Sequence, residues 1–347
     1  GNSASATFGP INIDKTAPTV SATATKNDGS PYVAGSWTNQ KVKVHFEATD
    51  TGSGIAGDSF FDVFFDIEGA NQSASRTFTD NAGNSASATF GPINIDKTAP
   101  TVSASAKKAD NTPYTAGSWT NQDVTVHYTC ADTGSGIASC TADQTFSATT
   151  TTTSGTATDN AGNSASASFG PINIDKTAPI ITGSRLPAAN ANGWNNTDVV
   201  VSFTCSDGGS GIASCPSPTT LSGEGVNQSV TGTATDNAGN TASATVNSIN
   251  IDKTAPTITG SRLPAANANG WNNTDVTVTF TSSDGLSGLA TIPIEIVSLS
   301  LEGANQSVTR TATDKAGNSA SATVNSINID KTKPTISATA TKADATP

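Results

Sequence analysis

Five copies of one eight-residue phrase constrain this chain more than anything else in it. INIDKTAP occupies residues 11–18, 93–100, 172–179 and 249–256, and returns as INIDKTKP at 327–334. Its aspartates are Asp14, Asp96, Asp175, Asp252 and Asp330, at intervals of 82, 79, 77 and 78 residues. A fixed period of that length means an array of like units, each long enough for a small sandwich. The frame is then four repeats, at 14–95, 96–174, 175–251 and 252–329. Residues 1–13 carry the text of 83–95 and read as the C-terminal strand of a preceding repeat. Residues 330–347 read as the start of a following one, so the chain is expected to be a window on a longer array.

Within one copy the pattern is that of strands. TVSATATK (19–26) is β-prone. KVKVHFEATD (41–50) alternates, with Val42, Val44 and Phe46 on one face and Lys43 and His45 on the other, the period of a half-buried strand. A variable stretch follows, then NQSASRTFTD, the turn NAGN and the closing run SASATFGPINI. The glycine of NAGN suits a hairpin turn that needs positive φ. Short strands separated by Gly, Pro and Asn turns predict an all-β chain of antiparallel β-sandwiches, head to tail.

Composition limits what such units do. Hydrophobic residues are 34% and aromatics 5%, enough for one small core per unit. The net charge of −11 argues against nucleic acid as a partner, which needs clustered Lys and Arg. No apolar run approaches the ~18 residues of a membrane span. The four cysteines form two pairs of equal spacing, Cys130 with Cys140 and Cys205 with Cys215. The other two copies carry Ala48/Asp58 and Ser282/Ile292 at those places. Residues that are present together or absent together behave as a disulfide, whereas zinc needs four ligands in one place. Two disulfides imply an oxidising compartment.

The combination ATDNAGN…INIDKTAPT, with a DxxSGI loop between, resembles the bacterial Ig-like repeats of large secreted and cell-surface proteins. The resemblance covers all four copies. It implies tandem Ig-like sandwiches in an adhesin, stalk or fibre, extracellular or on a bacterial cell surface, and calcium at inter-repeat junctions.

The topology of such a sandwich brings three stretches to one pole: the linker, the loop after the second long strand, and the last hairpin turn. The carboxylates expected to meet there are Asp14, Asp50 and Asp80; Asp96, Asp132 and Asp159; Asp175, Asp207 and Asp236; and Asp252, Asp284 and Asp314. Two readings stand side by side. Three like charges held close raise one another's pKa unless a hard cation joins them, and calcium suits oxygen ligands, with Asn84 and its equivalents available to fill the shell. Alternatively each aspartate has its own local role, as an Asx turn before NAGN, as a brace for the DTGSG loop, or, for the linker Asp, in a pairing with the next Lys (Lys15, Lys97, Lys176, Lys253).

Other motifs carry less. Gly52, Gly54 and Gly57 match a dinucleotide fingerprint only formally, since no helix follows and Ser139 and Ser214 replace the third glycine in the next two copies. His45 and His127 read as solvated strand residues. Trp37, Trp119, Trp194 and Trp271, one per copy, are expected to be largely buried and equivalent. No catalytic set recurs. The chain reads as a non-enzymatic extracellular structural array, a stalk of a cell-surface adhesin-like protein. Its partners are neighbouring repeats. The competing readings are a self-assembling surface filament of many copies and a carbohydrate- or ligand-binding array.

Overall fold

The computed structural model describes residues 1–290 and 294–339. The described residues contain strands and no helix. Two compact units divide the chain, Gly1–Lys176 and Thr177–Pro347.

In the first unit the alternation of KVKVHFEATD places Val42–Thr49 between Thr19–Lys26 and Phe60–Phe65 in an antiparallel sheet. A second layer is the hairpin Gly69–Thr79/Ser85–Ile95, whose closing strand also takes Trp37–Thr38 alongside it in parallel. Val42, Val44, Phe46, Ile93 and Ile95 fill the space between the layers and are almost wholly buried. The two isoleucines belong to the repeated phrase, so the phrase closes one core before it opens the next sandwich. The pattern recurs as Thr101–Lys108, Val124–Ala131 and Gln144–Phe146 against Ile137–Cys140, Thr153–Asp159 and Ser164–Phe169. The hairpin turn needs its glycine: Gly83 has φ 90° and Gly162 φ 95°, a region open to glycine at little cost.

The second unit repeats the arrangement twice. Ile180–Leu186, Val199–Ser206 and Thr219–Leu221 face Ile212–Ser214, Gly225–Asp236 and Thr241–Ile251. Thr257–Leu263, Val276–Ser283 and Ile294–Leu299 face the hairpin Gly303–Thr313/Ser319–Ile329. The expected all-β antiparallel sandwich is what forms. Residues 340–347, within the expected start of a further repeat, and Ile292 lie outside the described residues.

Cys130 is bonded to Cys140 and Cys205 to Cys215. Each bridge has a structural counterpart in the copies that lack it. Without cysteines the edge strand is six residues long, Phe60–Phe65 or Ile294–Leu299. With them it shrinks to three, Gln144–Phe146 or Thr219–Leu221. Cys140 ends a strand that pairs with the opposite sheet, so the bridge ties the layers where the edge strand covers less.

The tryptophans differ from expectation. Trp37, Trp119 and Trp194 are half-buried, and Trp271 is 37% exposed. Trp37 and Trp119 lie alongside the closing strand, and Trp194 and Trp271 directly precede residues that bridge to it.

Removing one disulfide in the variant Cys205→Ser/Cys215→Ser is expected to lower stability by about 2–3 kcal/mol, the loop-closure contribution of a short loop. Denaturant unfolding of the variant, with peptide mapping of the parent under non-reducing conditions, checks this. Four free thiols in the parent contradict it.

Candidate metal centres at the sandwich poles

Each aspartate of a cluster arrives on a different element, and each first serves its own backbone. Asp50 braces the loop after Val42–Thr49: its Oδ2 accepts from the amides of Gly52 (3.1 Å) and Gly54 (2.7 Å). Asp80 caps the hairpin turn, its Oδ1 accepting from Ala82 N (2.9 Å) and Asn84 N (2.8 Å). Asp14 accepts from Thr16 N at Oδ1 (2.9 Å) and Ser53 N at Oδ2 (2.7 Å). One oxygen of each of these three carboxylates lies within 4.8 Å of the others. The same holds for Asp96, Asp132 and Asp159, and for Asp252, Asp284 and Asp314. Of the remaining group, Asp175 lies at the end of the first unit. Asp207 and Asp236 stand in the second and hold the same local turns, Asp207 Oδ2 accepting from Gly211 N at 2.7 Å and Asp236 Oδ1 from Asn240 N at 2.8 Å.

Local turns and convergence are therefore both present. Among the described residues, no ion pair joins Asp14, Asp96 or Asp252 to the lysine that follows it. Lys97 turns away from Asp96 to Asp66 (2.6 Å), Lys176 goes to Asp123, and Lys253 goes to Asp198 (2.6 Å). These lysines anchor the linker to the strands before it.

The linker aspartate is the joint itself. Asp96 donates its amide to Thr38 O (3.0 Å), behind it in the chain. Its carbonyl accepts from Asn163 Nδ2 (3.0 Å) and its Oδ2 from Ser135 N (2.6 Å), both ahead of it. Asp252 repeats this in the second unit, with Asn195 O behind at 2.9 Å, and Asn318 Nδ2 (2.8 Å) and Ser287 N (3.0 Å) ahead. Asp252 is fully buried and Asp96 is 3% exposed. Buried polar groups have to be hydrogen-bonded, and these are satisfied from both sides of the joint.

Two glycines make room for this approach. A Cβ at Gly52 would stand 2.3 Å from Asp14 Oδ2, and one at Gly134 2.4 Å from Asp96 Oδ2. The fourth copy carries Leu286 at this position, and there the contact from Ser287 N to Asp252 is longer.

The sequence reading missed one set of residues. Glu68, in the stretch read as variable, accepts from Lys97 N (2.7 Å) and from Thr98 Oγ1 (3.0 Å). Glu224 and Glu302 do the same for Lys253/Thr254 and Lys331/Thr332. The recurring EG before xNQS was the available signal. The second copy has Ser147 at the glutamate's position; there Thr149 Oγ1 bonds Ile174 N (2.9 Å) and Ile174 O (3.0 Å), just before the linker aspartate. Asn84 braces the cluster. Its Nδ2 points into the cluster, donating to Asp80 Oδ2 (2.8 Å) and Asp14 O (3.2 Å), so it is a bracket.

Hydrogen-bond donors lower the pKa of Asp14, Asp80 and Asp96. Thr16 N, then Ser53 N, hold Asp14 below the ordinary carboxylate range. Burial pushes Asp80 and Asp96 up but is outweighed, by Asn84 and Ala82 for Asp80 and by Ser135 and Thr98 for Asp96. Three carboxylates sit together at each of these poles, and they offer oxygen ligands. Asp50 and Asp132 each use one oxygen for their loop amides. This hard donor set fits calcium. Such an ion would be held by Asp14, Asp50 and Asp80, or by their counterparts, and would supply the positive charge the cluster lacks.

No protein-family model and no curated protein sequence matches the chain. Among solved structures, a Ca2+-stabilised adhesin with which an Antarctic bacterium reaches out and binds ice aligns with 91% of this chain and all of its own. The identity is 18% and the TM-score 0.32. A similarity of that size carries no functional argument, and the functional reading rests on the clusters themselves.

Depressed carboxylate pKa values contribute stability above the unfolded value and lose it as pH falls through the folded one. For Asp14, Asp80 and Asp96 the unfolded reference is 3.8 and the folded values lie below it. In metal-free buffer the melting temperature is expected to hold down to roughly pH 5 and to fall steadily below roughly pH 4. In the variant Asp14→Asn/Asp96→Asn this acid-induced fall should be smaller. Calorimetry across pH checks both.

Proposed function

We propose that the chain is an extracellular structural array of four Ig-like repeats, with boundaries at 14–95, 96–174, 175–251 and 252–329. It serves as a stalk or spacer in a bacterial adhesin-like surface protein, with calcium at the joints. The observation that carries this reading is the linker aspartate. Asp96 and Asp252 spend their backbone amide on the preceding sandwich and their carbonyl and carboxylate on the following one. Such a residue stiffens a joint and has no role in turnover. The disulfides support an oxidising, extracellular setting. The absence of any family match leaves the Ig-like resemblance to rest on the repeated motifs and the sandwich.

Calcium fits this role through charge. Each cluster joins linker, loop and turn, and a cation there converts mutual repulsion into a tie between them. Metal binding then adds directly to the stability of the joined state. The sandwich cores are apolar and separate from the clusters, so they persist without the ion.

Small-angle scattering with calcium and with chelator tests the proposal. Calcium is expected to lengthen the mean end-to-end distance and raise the melting temperature. The variant Asp80→Asn/Asp159→Asn should blunt both effects without unfolding the sandwiches. Unchanged length and melting on chelation contradict the calcium part of the reading. Polymers of indefinite length in purified material, in place of single chains, favour the filament.

A further inference from the structure

Away from the joints, the first unit carries a feature that the second lacks. On the outer face of Thr19–Lys26/Val42–Thr49/Phe60–Phe65, one cross-strand row reads Thr25–Lys43–Phe64. The equivalent row is Lys107–Thr125–Thr145 in the second copy. In the second unit it is uncharged, Leu186–Val200–Thr220 and Leu263–Thr277–Ser298. Around the first row lies a hollow of about 300 Å³ lined by Lys26, Lys41, Lys43 and Phe64, among others. A hollow at the same place in the second copy, about 510 Å³, is lined by Lys107, Lys108 and His127, with Asp143.

These cations are only partly neutralised. Lys43 lies 3.6 Å from Asp62, which also takes a 2.6 Å bond from His45. Asp28, the acid beside Lys26, is held by Ser30 and by Gln40. Among the described residues Lys26 and Lys41 make no ion pair within 4 Å, while Asp28 and Asp66 lie near enough to feel their charge. Lys41 Nζ instead sits 4.5 Å from the centroid of Phe64, a ring that is 56% exposed. On a chain of net charge −11, a hollow that gathers three lysines beside an open aromatic ring is complementary to an anion that also has a flat, weakly polar face.

We propose that this face binds an acidic polysaccharide, with Lys26, Lys41 and Lys43 holding its anionic groups and Phe64 receiving one sugar ring. A uronate-type polymer supplies both features in each residue, a carboxylate and a ring. The assignment of the ligand to a glycan rests on the extracellular reading above. The site itself rests on the lysines and the ring.

The test is titration calorimetry of the full 347-residue chain with a short polyuronate oligosaccharide. Chelator is present throughout, so that calcium bridging at the joints contributes nothing and a failure of the calcium reading stays separate. Binding is expected to weaken with salt. Lys41→Ala/Lys43→Ala should weaken it by about tenfold, roughly 1.4 kcal/mol. Phe64→Ala should weaken it while leaving the salt dependence unchanged, and Lys315→Ala should have no effect. Circular dichroism of each variant checks the fold. Failure to bind, equal binding of neutral dextran, or affinity unmoved by the lysine pair overturns the proposal. Equal affinity for single-stranded DNA overturns it too, by making the face a general polyanion surface.

Discussion

The arrangement depends on one buried residue having its polar groups satisfied from two directions. A linker between two sandwiches has too few residues to bury a core of its own. Its backbone still has to be hydrogen-bonded where it is covered. The aspartate of INIDKTAP meets this by sending its amide backward and receiving amides forward, so neither sandwich alone completes it. In the second unit this leaves Asp252 fully buried. The lysine and threonine that follow are taken by the preceding sandwich, through Asp198 and Glu224. Glu224 is itself held below the ordinary carboxylate range by the amide of Lys253 and then by the hydroxyl of Thr254. The phrase recurs with the same backbone groups to satisfy at Asp96 and at Asp252.

The lean composition is handled copy by copy. Each core is a thin layer of valines and isoleucines with an aromatic residue on the central strand, Phe46, Tyr128, Phe203 or Phe280, joined in the first two copies by Tyr32 and Phe78 and by Tyr114. Where the edge strand is long, as in Phe60–Phe65, Val63 and Phe65 add to that layer. Where it is short, a disulfide joins the two sheets, so a covalent link stands in for apolar cover. Paired exposed hydroxyls across the hairpins, such as Thr77 with Ser87 (2.8 Å) and Thr233 with Ser243 (2.8 Å), occupy the outer faces without charge.

The sequence by itself determined the period, the strand alternation, the cysteine pairing and the three carboxylates of each pole. These follow from local rules, since strand periodicity is two, turns need glycine and aspartate at fixed places, and four-fold repetition shows which residues vary together. The tertiary structure decided the rest. Lys97 lies next to Asp96 in sequence yet pairs with Asp66, because the extended linker points successive side chains in opposite directions. Glu68 lies within a stretch that reads as variable, and its role is visible only once the hairpin brings it to the linker. Asn84 has the chemistry of an oxygen ligand but turns its nitrogen inward, because the carboxylate and the linker carbonyl both require a donor. The tryptophans have the regular placement of core plugs, but position along a strand does not fix depth, and all four keep part of their surface exposed. Local pattern sets which groups reach a pole, and the partners each group finds there depend on chain segments some seventy residues apart, as Asn84 and Asp14 are.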